Sequence, residues 1–237
     1  MAKASQRAPV LGPAFIRLLA RFNADDAAPL QAPALSERLS QWFDWNRAIS
    51  LSRALDNPPP SAPEGAAFSP ADEAGAARVR ATLMDAIHAE IDPASGTAQA
   101  AAEDGQADGY APYRQHYLDV QRAMQAATGR LRGQLRDMLA RQSPTKARLA
   151  EVDAVMEATL SPREHTLLSQ VPALLGQHYQ RLLAANTPAA EDAATPATTP
   201  AGPWLALFVQ DLRIALLAEL DVRFHPIEGL LAALRTR

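Results

Sequence analysis

Stretches with helical apolar periodicity alternate along this chain with Ala/Pro-rich segments that cannot continue a helix. That alternation restricts the fold to helices packed on helices. No period-2 strand pattern and no fixed-period repeat runs through the sequence, so neither a sheet nor a solenoid is expected. The 237 residues suit one domain or two small ones. The expected fold is all-α, a helical bundle with long disordered Ala/Pro-rich linkers.

The pattern divides into an N-terminal helical segment over 1–56, a linker over 57–69 and a helix over 70–91. A disordered linker over 92–111, a helical core over 112–185, a linker over 186–203 and C-terminal core helices over 204–237 complete it. The first helix is expected from Pro13 to Asn23 with Phe15, Ile16, Leu19 and Phe22 on its apolar side. A second, Pro33 to Phe43, presents Leu35, Leu39, Trp42 and Phe43. Asn46 is placed to cap a third that carries Ile49, Leu51 and Leu55. Asn57-Pro58-Pro59-Pro60 then stops helical structure.

Three later helices share a start signal, Ser followed by Pro, at Ser69, Ser143 and Ser161. Glu164, three residues after Ser161, completes a capping box there. The Ser69 helix places Val79, Leu83, Ile87 and Ile91 on one face. The longest helix spans Pro112 to Gln142. Its Tyr113, Tyr117, Val120, Met124, Ala127, Leu131, Leu135 and Met138 fall within about 40° of one line at 100° per residue, a narrow seam.

The next helix offers Leu149, Val152, Met156 and Leu160. The one after Ser161 offers Leu167, Leu168, Val171, Leu174, Leu175, His178 and Leu182, with Pro172 expected to kink it. Toward the C-terminus, Leu205, Val209, Leu212, Leu216 and Leu220 form one stripe. Trp204, Leu207 and Ile214 lie on another side, so burial on two faces and a central position are expected. His225-Pro226 reads as a break before a short final helix with Ile227, Leu230, Leu231 and Leu234.

A net charge of −3 gives no global basic field. The absence of cysteine removes disulfides, thiol chemistry and Cys-ligated metal, and fits a cytoplasmic protein. The densest apolar run, Trp204 to Leu220, is interrupted by Asp211, Arg213 and Glu219, so no direct membrane insertion is expected. No histidine belongs to an H-E-x-x-H pair. Asp85 and His88 share a helix face but lack further ligands and read as solvated surface. Glu164 and His165 are adjacent, so their side chains diverge. His178 lies along an apolar face as a core histidine would. No catalytic, cofactor or metal residue is assigned, and the chain reads as a non-enzyme without a cofactor.

Two features carry interaction chemistry. Arg114, Arg122, Arg130, Arg132 and Arg136 lie opposite the apolar seam of the long helix. They read either as a basic stripe for phosphates or an acidic partner, or as the solvated outer face of a bundle helix. Trp42, Phe43 and Trp45 form a dense aromatic cluster in a chain with 5% aromatic residues, read either as interface anchors or as core packing.

Seven blocks carry a resemblance: Gly12-Pro13-Ala14-Phe15-Ile16-Arg17-Leu18-Leu19-Ala20, Leu39-Ser40-Gln41-Trp42, Ile49-Ser50-Leu51-Ser52, Tyr110-Ala111-Pro112-Tyr113-Arg114, Val152-Asp153-Ala154-Val155-Met156-Glu157, Leu217-Ala218-Glu219-Leu220-Asp221 and Pro226-Ile227-Glu228-Gly229-Leu230-Leu231. With these blocks the chain resembles an uncharacterised proteobacterial family, the domain of unknown function numbered 3348. These motifs are structural and transfer no catalytic or ligand residue. The resemblance implies a bacterial cytosolic protein, encoded near membrane proteins with outer-membrane-protein-A-type domains, and hence a component of an envelope-linked assembly.

The expected function is a non-enzymatic interaction or scaffold protein with a protein partner. Whether its apolar seams pack within one chain or between copies in a homo-oligomer stays open. The alternative is a nucleic-acid-associated regulator that uses the arginine face.

Overall fold

The computed structural model describes residues 14–22, 45–56, 68–91, 109–186 and 202–236. Among them the elements are all helices: α1 Ala14–Phe22, α2 Trp45–Asp56, α3 Pro70–His88, α4 Ala111–Ala140, α5 Pro144–Leu168, α6 Val171–Asn186 and α7 Pro203–Arg235. The expected helix at Pro33–Phe43 and most of the three linkers lie outside the described residues. Among the described residues, no helix is long and apolar enough to cross a membrane.

The long helices α4 and α7 pack on each other at the centre. With 30 residues α4 reaches roughly 45 Å. Its seam behaves as the spacing requires: Tyr113, Tyr117, Val120, Met124, Leu131 and Leu135 are buried, with Ala127 and Met138 packed against them. Around this pair, α3 contacts both helices, α5 lies on α4, and α1 and α6 lie on α7. The outermost helix, α2, docks on α5, where the Arg47 guanidinium donates to the Thr159 carbonyl at 3.2 Å.

Two Ser-Pro starts hold. The Ser143 hydroxyl accepts from the Lys146 amide, and Pro144 fills a first-turn site that has no amide to satisfy. At Ser69 the capping box is complete, with Asp72 as its acid: the Ser69 amide donates to Asp72 at 2.9 Å. These hydrogen bonds from Ser69 hold the Asp72 carboxyl below its ordinary range. At the far end of α3, Arg213 donates to the His88 and Ala89 carbonyls at 3.3 and 3.5 Å.

The third start does not hold. Helix α5 runs unbroken through Ser161 and Pro162 to Leu168. Pro162 removes one backbone hydrogen bond, and the burial of Thr159 and Leu168 on either side outweighs that loss. The turn falls instead at Ser169–Gln170. Pro172 therefore sits in the first turn of α6, where it kinks nothing. Likewise, His225-Pro226 does not break α7, because Phe224 and Ile227 are both buried across the proline.

Other expectations shift with the packing. Asn46 lies inside the first turn of α2, so it is not a cap; its carbonyl accepts from the Ser50 hydroxyl. In α1 the line from Phe15 to Phe22 is buried, which turns Ile16 outward at 55% exposure. On α5 the buried positions are Ala147, Ala150, Thr159 and Leu168, while Leu149 is exposed. On α7 the second buried side is made by Phe208, Ala215 and Glu219. Leu207 and Ile214 remain 48% and 39% exposed.

One end of the bundle is closed by rings. Phe208 meets Tyr110, Tyr113 and Tyr179 edge-on at centroid distances of 6.0, 5.5 and 5.0 Å, and Tyr179 stands against Trp204 at 5.4 Å. The Tyr110 hydroxyl is satisfied by the Pro172 carbonyl at 2.5 Å. Beside this cluster, His178 lies between Phe22 and Phe208 and shares a 2.9 Å hydrogen bond with Asp211, as a satisfied core histidine does.

Candidate functional site

The polar chemistry of the fold concentrates where α4, α5 and α7 meet. At its centre is Glu219, which has 0% exposure on the most apolar helix. A buried carboxylate persists only when its lone pairs are filled. Here Tyr117 donates at 2.7 Å, the Gln121 amide at 3.2 Å, and Arg223 through Nε and a terminal nitrogen at 3.0 and 2.8 Å. Gln121 also donates to the Leu168 carbonyl at the end of α5. Burial, and then the charge of Glu219, hold the Tyr117 phenol well above its ordinary range.

The remaining terminal nitrogen of Arg223 lies 3.4 Å from Glu164 on α5. Thus Glu164, expected to close a capping box, instead ties α5 to α7. Further along α4, Arg132 grips Asp153 with two nitrogens at 2.8 and 2.7 Å, and Arg136 bonds both Asp153 and Glu157. These four side chains are largely buried.

Between the two ion-paired groups lies a cleft of about 270 Å³. Gln125, Gly129 and Arg132 of α4 form one wall, Met156, Leu160 and Glu164 of α5 a second, and Val222 and Pro226 of α7 a third. Its lining combines apolar side chains with ion-paired charged groups, of which Glu164 has, among the described residues, one contact alone, at 3.4 Å.

The arginine face is therefore not one stripe. Arg132 and Arg136 turn toward α5 and are neutralised by Asp153 and Glu157. Arg122 pairs with Asp119 on its own helix, and Arg114 and Arg130 are exposed. Trp45 opens α2, whereas Trp42 and Phe43, like the Trp45 side chain, lie outside the described residues. Asp85 and His88 are exposed side by side on α3. Among the described residues no group of His, Asp and Glu is arranged to hold a metal ion.

In the sequence Glu219 interrupts an apolar run and falls within the block Leu217–Asp221, and neither feature marks it as a buried carboxylate. The signal that marks it is local: Arg223 follows four residues later on the same helix, and Tyr117 and Gln121 repeat that spacing on α4.

A family model described as "Protein of unknown function (DUF3348)" matches residues 1–236, nearly the whole chain. The chain belongs to the DUF3348 family. The family carries no described activity to transfer to the cleft or to the buried carboxylate. Neither curated proteins nor solved structures provide a match to the chain.

Proposed function

We propose that the protein is a non-enzymatic interaction or scaffold component that binds a protein partner through the outer face of α7. Leu207 and Ile214 carry this reading. They lie seven residues apart on one line of the helix at the centre of the fold, and both stay exposed. An apolar pair at this spacing is what an amphipathic partner helix reads as anchor positions. The cytoplasm and an envelope-linked assembly are part of the proposal, and the family resemblance supports them.

The test is a pull-down from native extract with the wild-type chain and with Leu207→Asp/Ile214→Asp, each first checked for an unchanged melting temperature. A defined protein recovered by the wild type at low and high salt, and lost with the double variant, supports the reading. Recovery of nucleic acid alone, lost at high salt, moves the function to the exposed arginines. Self-association that the same variant abolishes assigns the face to a second copy of the chain.

A further inference from the structure

We propose that the cleft between α4, α5 and α7 binds a cationic nitrogen group, an alkylammonium or guanidinium on a short apolar stem. This goes beyond the interaction reading and does not depend on it.

The two ion-paired groups that flank the cleft join three guanidiniums (Arg132, Arg136, Arg223) to four carboxylates (Asp153, Glu157, Glu164, Glu219), of which Arg132, Arg223, Glu157 and Glu164 line the cleft together with His165. Among the described residues these two groups hold one carboxylate more than guanidiniums. The excess falls on Glu164, because Glu219 takes two nitrogens of Arg223 and leaves Glu164 a single contact at 3.4 Å. Glu164 is also the most open of the four, at 37% side-chain exposure.

An anion is the poorer fit. Arg132 and Arg223 each already hold a carboxylate through two nitrogens, so an incoming anion has to displace a fitted partner.

The backbone adds an acceptor. Pro226 has no N–H, so the Val222 carbonyl lacks its usual donor four residues on, and both residues line the cleft. A cation with several N–H groups matches a cleft that offers a carboxylate on its α5 wall and a carbonyl on its α7 wall. Met156, Leu160, Val222 and Pro226 supply apolar surface for its stem. The missing side chain at Gly129 keeps the α4 wall open, since a Cβ there meets nothing within 4 Å.

The experiment is calorimetric titration of the full chain with agmatine, with a capped Gly-Arg-Gly peptide and with glutarate as the anionic control. Saturable binding of agmatine or the peptide, without binding of glutarate, is the expected result. Agmatine binding more tightly assigns the site to a free amine, and the peptide binding more tightly assigns it to a side chain of another protein. Glu164→Gln should weaken binding by about ten-fold or more, as loss of a charge-assisted contact does. Gly129→Leu, which fills the cleft, should abolish binding while the melting temperature holds. No binding of either cation, preference for glutarate, or unchanged affinity in both variants overturns the proposal.

Discussion

The phenol of Tyr117 donates a 2.7 Å hydrogen bond to Glu219, a carboxylate wholly buried on α7. This contact joins the two central helices through a polar bond within an apolar seam. It fixes their register, because a shift of either helix leaves a buried charge unfilled. The fold therefore depends on the partners of one carboxylate as well as on its apolar area.

Arg223→Ala removes the cation that Glu219 grips with two bonds and leaves the charge uncompensated. The expected cost is about 3–5 kcal/mol, read as a lower urea midpoint. Glu219→Gln, which removes the charge and keeps a polar group, should cost less. If both variants unfold at the wild-type midpoint, Glu219 does not organise the core.

Tyr117→Phe should cost about 1.5–3 kcal/mol at neutral pH, the worth of a hydrogen bond to a charged group. The pH dependence has a definite sign. In the unfolded chain the phenol ionises near pH 10, whereas burial and Glu219 keep it protonated well above that in the fold. The stabilisation is fully present below about pH 10 and is lost as pH rises beyond it. Tyr113, raised by burial, acts in the same direction. Unfolding curves between about pH 8 and pH 11 should therefore show the gap between wild type and Tyr117→Phe narrowing. A constant gap contradicts this account of the shift.

On the acid side, burial lowers the His116 imidazole, with the Arg213 charge adding to the effect. The unfolded histidine takes up its proton near pH 6.5, so this contribution is present above that value and is lost as pH falls below it. His116→Gln should flatten the stability profile between about pH 7 and pH 5. An unchanged slope there assigns the acid sensitivity to other groups.

Gly176 lets α6 pack closely against the Tyr110 ring. A Cβ there would stand 2.9 and 3.2 Å from ring carbons of Tyr110, whose hydroxyl is anchored on Pro172. Gly176→Ala should destabilise by about 1–3 kcal/mol in spite of alanine's better helix propensity. Gly129→Ala meets no neighbour and should instead stabilise by about 0.5–1 kcal/mol. Thermal melts of the two variants should move in opposite directions, and a shared direction contradicts the packing described at Tyr110.

Local chemistry made much of the fold legible. The seam from Tyr113 to Met138 and the caps at Ser69 and Ser143 are written in neighbouring residues, and the structure follows them. Pro162 and Pro226 misled because a proline's effect on a helix is decided by what its flanks bury, and those partners come from distant segments. The arginines divide for the same reason. Nothing near Arg132 and Arg136 in sequence separates them from Arg130; what does is the approach of Asp153 and Glu157 on α5. The cleft was not legible because three helices build it.

The docking face proposed on α7 rests on the exposed pair Leu207 and Ile214. Its most direct measurement is recovery of a partner from native extract by the wild type and by Leu207→Asp/Ile214→Asp, with the melting temperature of each recorded first. The account predicts one defined protein retained at low and high salt by the wild type and lost by a variant that melts like it. Equal recovery by both chains, or recovery of nucleic acid alone, contradicts it.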